Sequence, residues 1–186
     1  MQYFPWGLSD LSKITVLDDP IAPTAVKYAA SSGLPDWEGV VAGELSRNGV
    51  PNIADAASVA IGNTVTGVAA DAFDNCASLT SVTIPGSVGV VGNGAFFGCR
   101  ALASVAIGEG VETIDLGAFT DCRALNDVTI PSSVTSIGDD AFFNCDALRD
   151  VTFVGKDRAT VQGMSRYPWA LQAGCVLHCS DGDAVV

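Results

Sequence analysis

Cysteine and histidine are the first candidates for chemistry. Cys175, His178 and Cys179 fall within five residues near the end of the chain, a grouping that invites a metal reading. Cys76, Cys99, Cys122 and Cys145 each close the string Ala-Phe-x-x-Cys, which begins at Ala72, Ala95, Ala118 and Ala141 with a step of 23 residues. Thiols can coordinate, oxidise or attack. Position argues against each role. On a strand Cys175, Leu177 and Cys179 share one face and His178 takes the other. The two cysteines would then stand roughly 13 Å apart, too far for one zinc ion or one disulfide. A second ligand pair for zinc does not follow in the sequence. The repeat cysteines read as small buried hydrophobes, and equal rotamers on parallel coils do not give the disulfide dihedral. Asp181-Gly182-Asp183 offers too few ligands for a calcium loop. It reads as a solvated turn with Ser180, as Asp139-Asp140 reads as a solvated pair at a turn. His178 is the sole histidine and belongs to no nucleophile motif, zinc-protease helix or phosphate loop. These residues imply no enzyme, no cofactor and no metal.

The elements that carry the cysteines are the more informative part. After each Cys come Leu (Leu79, Leu102, Leu125, Leu148), then Val (Val82, Val105, Val128, Val151), then Ile or Phe (Ile84, Ile107, Ile130, Phe153). A second apolar pair follows, Val88/Val91, Val111/Ile114 and Val134/Ile137. A fixed period of this length means a solenoid. Within a unit, Val82 and Ile84 alternate with Ser81 and Thr83, the period of a strand with one face in. Pro85 and Pro131 end such strands, because proline lacks the ladder N–H. Ser87–Gly92 predicts a second strand. Ala95–Cys99 predicts a single helical turn with Phe96 and Cys99 pointing inward together. Residues 56–78 are a degenerate first unit, with Val59 and Ile61 at the strand positions and Val65 and Val68 as the second pair. The pattern predicts three regions: a capping region over 1–55, a solenoid over 56–155 and a C-terminal cap over 156–186.

The flanks read differently. Lys13–Leu17 predicts a strand. Pro23 or Thr24 predicts the start of a helix running to Ser32, with Gly33 as the stop. Asp36 predicts the N-cap of a second helix, with Trp37, Val40, Val41 and Leu45 on one face. A helical cap would cover the open end of a β stack. Beyond Phe153, Lys156–Met164 predicts a short helix, Tyr167-Pro168-Trp169 a seal on the last coil and Gly174–Cys179 a closing strand. Tyr3-Phe4-Pro5-Trp6-Gly7-Leu8 is similar to Tyr167-Pro168-Trp169-Ala170-Leu171. The two strings are either coincident cap segments or the mark of a preceding module.

Apolar residues make up 48% of the chain and charged ones 16%, yet no apolar run reaches the length of a bilayer span. The net charge is −12, and the repeats hold most of it. Lysine and arginine are too few and too scattered for a phosphate-binding surface, which excludes nucleic acid and anionic membrane as expected partners. Residues 1–10 lack a basic stretch followed by an apolar one, so the expectation is that this chain carries no signal peptide.

The unit Leu-x-x-Val-x-Ile-Pro-x-x-Val-x-x-Ile-Gly-x-x-Ala-Phe-x-x-Cys, as in Leu125 to Cys145, resembles the BspA-type leucine-rich repeat. The ending from Phe153 through Tyr167-Pro168-Trp169 to His178-Cys179-Ser180-Asp181-Gly182-Asp183 resembles that family's C-terminal cap. The resemblance implies a mainly β fold with short helices: a leucine-rich-repeat solenoid of stacked parallel strands, with a helical N-terminal cap and an irregular C-terminal cap. It also implies a non-catalytic module on a bacterial surface or secreted, binding a protein or a glycan. The expected contact residues are Asp127, Asp150, Thr129 and Thr152 on the outward sheet face. Phe97 and Phe143 either join them or fill the corner between coils. The other reading is a structural spacer or phage-type appendage component whose ladder faces bind nothing specific.

Overall fold

A computed structural model describes residues 14–18, 25–30, 58–63, 65–164 and 171–186, the first two stretches as backbone only. Each repeat places one long and one short strand on different faces of a coil, joined by tight turns. The long strands are β3 (Ser58–Ile61), β5 (Ser81–Ile84), β7 (Ser104–Ile107), β9 (Asp127–Ile130) and β11 (Asp150–Phe153). The short ones are β4 (Gly67–Val68), β6 (Val90–Val91), β8 (Thr113–Ile114) and β10 (Ser136–Ile137). The second strand expected over Ser87–Gly92 is thus cut to two residues. The short strands form one unbroken parallel sheet, β4-β6-β8-β10. The long strands do not: β3-β5-β7 form part of one sheet, and β9-β11 belong to another.

Register keeps like residues together. Val59 pairs with Val82 and Val82 with Val105, while Asp150 pairs with Asp127 and Thr152 with Thr129. The inward set is the core: Val82, Ile84, Val88, Val91, Leu102, Val111, Ile114, Leu125, Val128, Ile130, Val134, Ile137 and Leu148 are all buried. Val105 and Ile107 are only half-buried, a departure from the repeat pattern. In the third edge, Phe73, Phe96, Phe119 and Phe142 stack face to face with ring centroids 4.9, 5.2 and 5.6 Å apart and planes within 5°. That spacing is the separation of neighbouring strands, so the rings repeat the backbone period.

The Ala-Phe-x-x-Cys turn is built from two left-handed residues per coil. Asp71, Gly94, Gly117 and Asp140 hold the first position, with φ between 56° and 60°. Asn75, Gly98, Asp121 and Asn144 hold the second, between 56° and 69°. Only Gly, Asn and Asp enter that region readily. Close approach selects glycine elsewhere: a Cβ at Gly86 would lie 1.8 Å from the Glu109 carbonyl oxygen of the next coil.

The expected strand at the N-terminus is present as β1 (Ile14–Asp18). The helix expected from Pro23 or Thr24 to Ser32 is not. Its place is taken by β2 (Ala25–Ala30), antiparallel to β1 and parallel to β3. Alanine-rich composition favours helix locally, but pairing on the open edge of β3 overrides it. Val26 and Tyr28 come into register with Val59 and Ile61. The expected helical cap is corrected to a strand pair over these residues. The second helix, Asp36–Leu45, and Tyr167-Pro168-Trp169 lie outside the described residues.

At the other end α1 (Arg158–Gly163) is capped by Asp157, whose carboxylate accepts the Thr160 N–H at 2.8 Å. That bond holds the Asp157 carboxyl below its ordinary pKa. Lys156 is buried and its Nζ donates to the Ser132 carbonyl at 2.5 Å, tying the cap to the coil beneath. Then β12 (Val176–Cys179) runs parallel to β11, and β13 (Gly182–Val185) returns antiparallel to it. Gly182 and Asp183, expected in a turn, are therefore the start of a strand.

Two substitutions test this packing. Phe119→Ala removes a fully buried ring from the middle of the stack and should cost about 3–5 kcal/mol, read as a lower urea midpoint. Gly86→Ala should also destabilise, because its methyl meets backbone and not a movable side chain.

Candidate functional site

Three groups of residues bear on function. The first is the cysteine ladder. Cys99 Sγ donates to the Phe73 carbonyl at 3.1 Å, Cys122 Sγ to Phe96 at 3.2 Å and Cys145 Sγ to Phe119 at 3.2 Å. All three thiols are buried. A hydrogen bond with Cys76, then burial, pushes the Cys99 pKa far up. Burial first, then the neighbouring Cys145, does the same for Cys122. Burial pushes Cys145 up to about 12. A thiol held protonated is neither nucleophile nor metal ligand. These cysteines link each coil to the carbonyl of the preceding turn.

The second group is the outward sheet face. The structure brings Asp127, Thr129, Asp150 and Thr152 together as a square on β9 and β11. Three of the four are exposed and Thr152 is half-buried. The sequence did not reveal that Asp150 is engaged. His178 on β12 places Nε2 at 2.9 Å from Asp150 Oδ1, and its Nδ1 at 2.9 Å from Asp183 Oδ1 on β13. Both ring nitrogens are therefore committed to carboxylates, and the imidazole spans three strands. The group lies on the open surface: the three side chains are 37%, 52% and 63% exposed. The signal in the sequence was the alternation that puts Asp150, His178 and Asp183 on the same face.

The third group is the turn edge. Phe97 and Phe143 are 39% and 44% exposed. They hold matching positions two coils apart, about 10 Å by strand spacing. Thr120 holds the position between them; it is buried and its Oγ1 donates to the Asp140 carbonyl at 2.7 Å. Leu116, 45% exposed, joins this edge: its carbonyl accepts the Gly94 N–H at 3.0 Å in the turn that carries Phe97. Leu116 was missed in the sequence, although aligned repeats put Ala70, Asn93 and Asp139 at its position. Exposed acids surround these apolar groups, among them Asp74, Asp115 and Asp139. The phenylalanines and the acidic square thus occupy different faces of the coil.

A shallow cleft of about 280 Å³ lies between β10 and α1, lined by Val134, Thr135, Lys156, Ala159, Thr160, Gly163 and Met164. It contains neither His178 nor a carboxylate. Among the described residues no helix is long and apolar enough to cross a membrane.

His178 titrates as part of the cap. Hydrogen bonds from Asp150 and then Asp183 raise its pKa above the ordinary histidine value. A raised folded-state pKa means the stabilisation is fully present below the unfolded pKa and is lost as pH rises through the folded one. The cap should therefore loosen modestly above neutral pH, as surface pairs contribute little. Proton NMR titration of His178 should show the raised pKa, and Asp183→Asn should lower it.

No curated protein matches the chain. Several solved structures resemble it. A leucine-rich repeat protein of T. pallidum is 24% identical, with a TM-score of 0.52 over 80% of this chain and 64% of its own. One from Bacteroides ovatus is 27% identical, with a TM-score of 0.50 over 75% of this chain and 39% of its own. A leucine rich cell surface protein of Faecalibacterium prausnitzii is 32% identical over 60% of this chain and 35% of its own, with a TM-score of 0.41. The chain thus spans less than two thirds of the length of each. The sequence model of the BspA type leucine rich repeat region matches six copies over residues 51–161. With that match across more than half its length, on a solenoid whose coils repeat every 23 residues, the chain belongs to the BspA-type leucine-rich repeat family.

Proposed function

We propose that this chain is a non-catalytic binding module for a protein or glycan on a surface, and that its contact surface is the turn edge. The observation that supports this most is the pair of exposed phenylalanines, Phe97 and Phe143, at equivalent positions, with Leu116 exposed on the same edge. Aromatic side chains give large contact area at low entropic cost and favour binding centres. The surrounding acids steer towards a partner with basic groups. The flat sheet is the weaker candidate surface. Its outward ladders are small and polar, and Asp150 is tied to His178. Asp127, Thr129 and Thr152 lie on that other face, outside the proposed contact. A secreted or cell-surface setting follows the family resemblance, and cell fractionation with an antibody to the chain tests it.

The alternative is a spacer, with evenly dispersed polar faces and contacts at the ends only. Phe97, Leu116 and Phe143 share one edge, which favours the binding module, while the other exposed large apolar groups among the described residues, Val90, Val154 and Val185, lie elsewhere. Arrays of purified surface proteins and glycans, probed with the chain, separate the two. A binder should lose at least about 10-fold in affinity in Phe97→Ala/Phe143→Ala, each such anchor being worth about 1 kcal/mol or more. Asp127→Asn/Thr129→Ala should change it little. Equal binding by the phenylalanine variant would place the contact elsewhere, and no binding at all would favour the spacer.

A further inference from the structure

The long-strand wall of the solenoid has a slot in it. β7 and β9 are successive strands of the array, yet they lie in separate sheets with no ladder between them. The coils remain joined on both sides of this slot. β8 pairs with β10 on the short-strand face. On the turn edge Phe96 N–H donates to Ala118 at 2.8 Å and Phe119 N–H to Ala141 at 2.8 Å. Burial records the gap independently. Val82, Ile84, Val128 and Ile130 are at most 2% exposed, whereas Val105 and Ile107 at the same repeat positions are half-buried.

Part of the cause is local chemistry. Just after the strand, the backbone N–H of one coil donates to the isoleucine carbonyl of the coil before it. Gly108 does so to Ile84 at 2.8 Å and Val154 to Ile130 at 3.0 Å. In the β9 coil that position is Pro131, which has no N–H. Pro85 has the same deficit, and there the β3–β5 ladder is shortened to three residue pairs but kept. Between β7 and β9 the remaining pairs are absent as well. A side chain bridges the coils instead. Glu109 reaches across the step, its carboxylate accepting from Ser132 N at 3.1 Å, Ser132 Oγ at 3.0 Å and Ser133 N at 3.3 Å.

We propose that this slot is a built-in opening of the array: coils up to β7 and coils from β9 onward move as two bodies, hinged on the continuous β4-β6-β8-β10 sheet. No ladder crosses the slot on that wall, so widening it breaks none there. Opening uncovers Val105, Ile107 and two strand edges, and the Glu109 bridge restrains it. Regions that open locally are those with few protected backbone bonds.

Hydrogen exchange on the whole chain, resolved by residue, tests this. The Thr129 amide, which faces β7, should exchange at least about 100-fold faster than the Ala106 and Thr152 amides at the same repeat position, each of which faces a preceding strand to donate to. Pro131→Ala supplies the missing N–H and should slow β9 exchange at least about 5-fold, while Pro85→Ala should leave β9 unchanged. Glu109→Gln, which weakens the bridge without removing its shape, should speed β9 further. Protection of Thr129 equal to that of Thr152 would overturn the hinge. Unchanged β9 rates in both Pro131→Ala and Glu109→Gln would overturn the control assigned to these residues.

Discussion

Each coil must lie on the next at the spacing of hydrogen-bonded strands, and every other feature of the molecule follows from that contact. The backbone meets it in two directions. Just after the short strands the later coil donates to the earlier one, as in Gly92 to Val68 at 2.9 Å, Asp115 to Val91 at 2.9 Å and Gly138 to Ile114 at 2.7 Å. On the turn edge the earlier coil donates to the later, as in Phe73 to Ala95 at 2.7 Å and Asn75 to Phe97 at 2.7 Å. The cysteine thiols add a third set of donors, aimed at the phenylalanine carbonyls of the preceding turn.

This constraint explains the residue types at the turn. Two left-handed positions per coil let the chain reverse while Phe and Cys both point inward. Asp, Asn and Gly alternate at those positions with no loss of geometry. It also explains why the cysteines are poor candidates for chemistry. They sit where the packing is closest and the solvent most remote, which is where a thiol keeps its proton. The contact surface proposed above falls just outside this core. Phe97 and Phe143 immediately follow the stacked phenylalanines and must point away from them.

Much of this was legible in the residues. The 23-residue period marks the coils, the inward Leu, Val, Ile and Phe, and the short C-terminal helix after Phe153. Other features were not. Ala25–Ala30 reads as helix on composition and is a strand, because the open edge of β3 offers hydrogen bonds that a propensity cannot represent. Asp183 reads as a turn residue and is in a strand, because β12 presents an edge for the chain to return on. Asp127 and Asp150 read as equivalent ladder positions, and the structure makes them different. One faces solvent and the other meets a histidine from 28 residues later.

What the sequence by itself determined is the content of one coil: which side chains face in, where the backbone turns, and that the unit repeats. These are properties of neighbouring residues, and short-range sterics and periodicity decide them. What only the tertiary structure decided is how well successive coils join. Pro131 is ordinary within its own unit. Its effect exists only because Ile107, 24 residues earlier, has a carbonyl in need of a donor. The same holds for the exposure of Phe97 and for the His178 bridge. Each depends on what the next coil places alongside, and no single repeat contains that information.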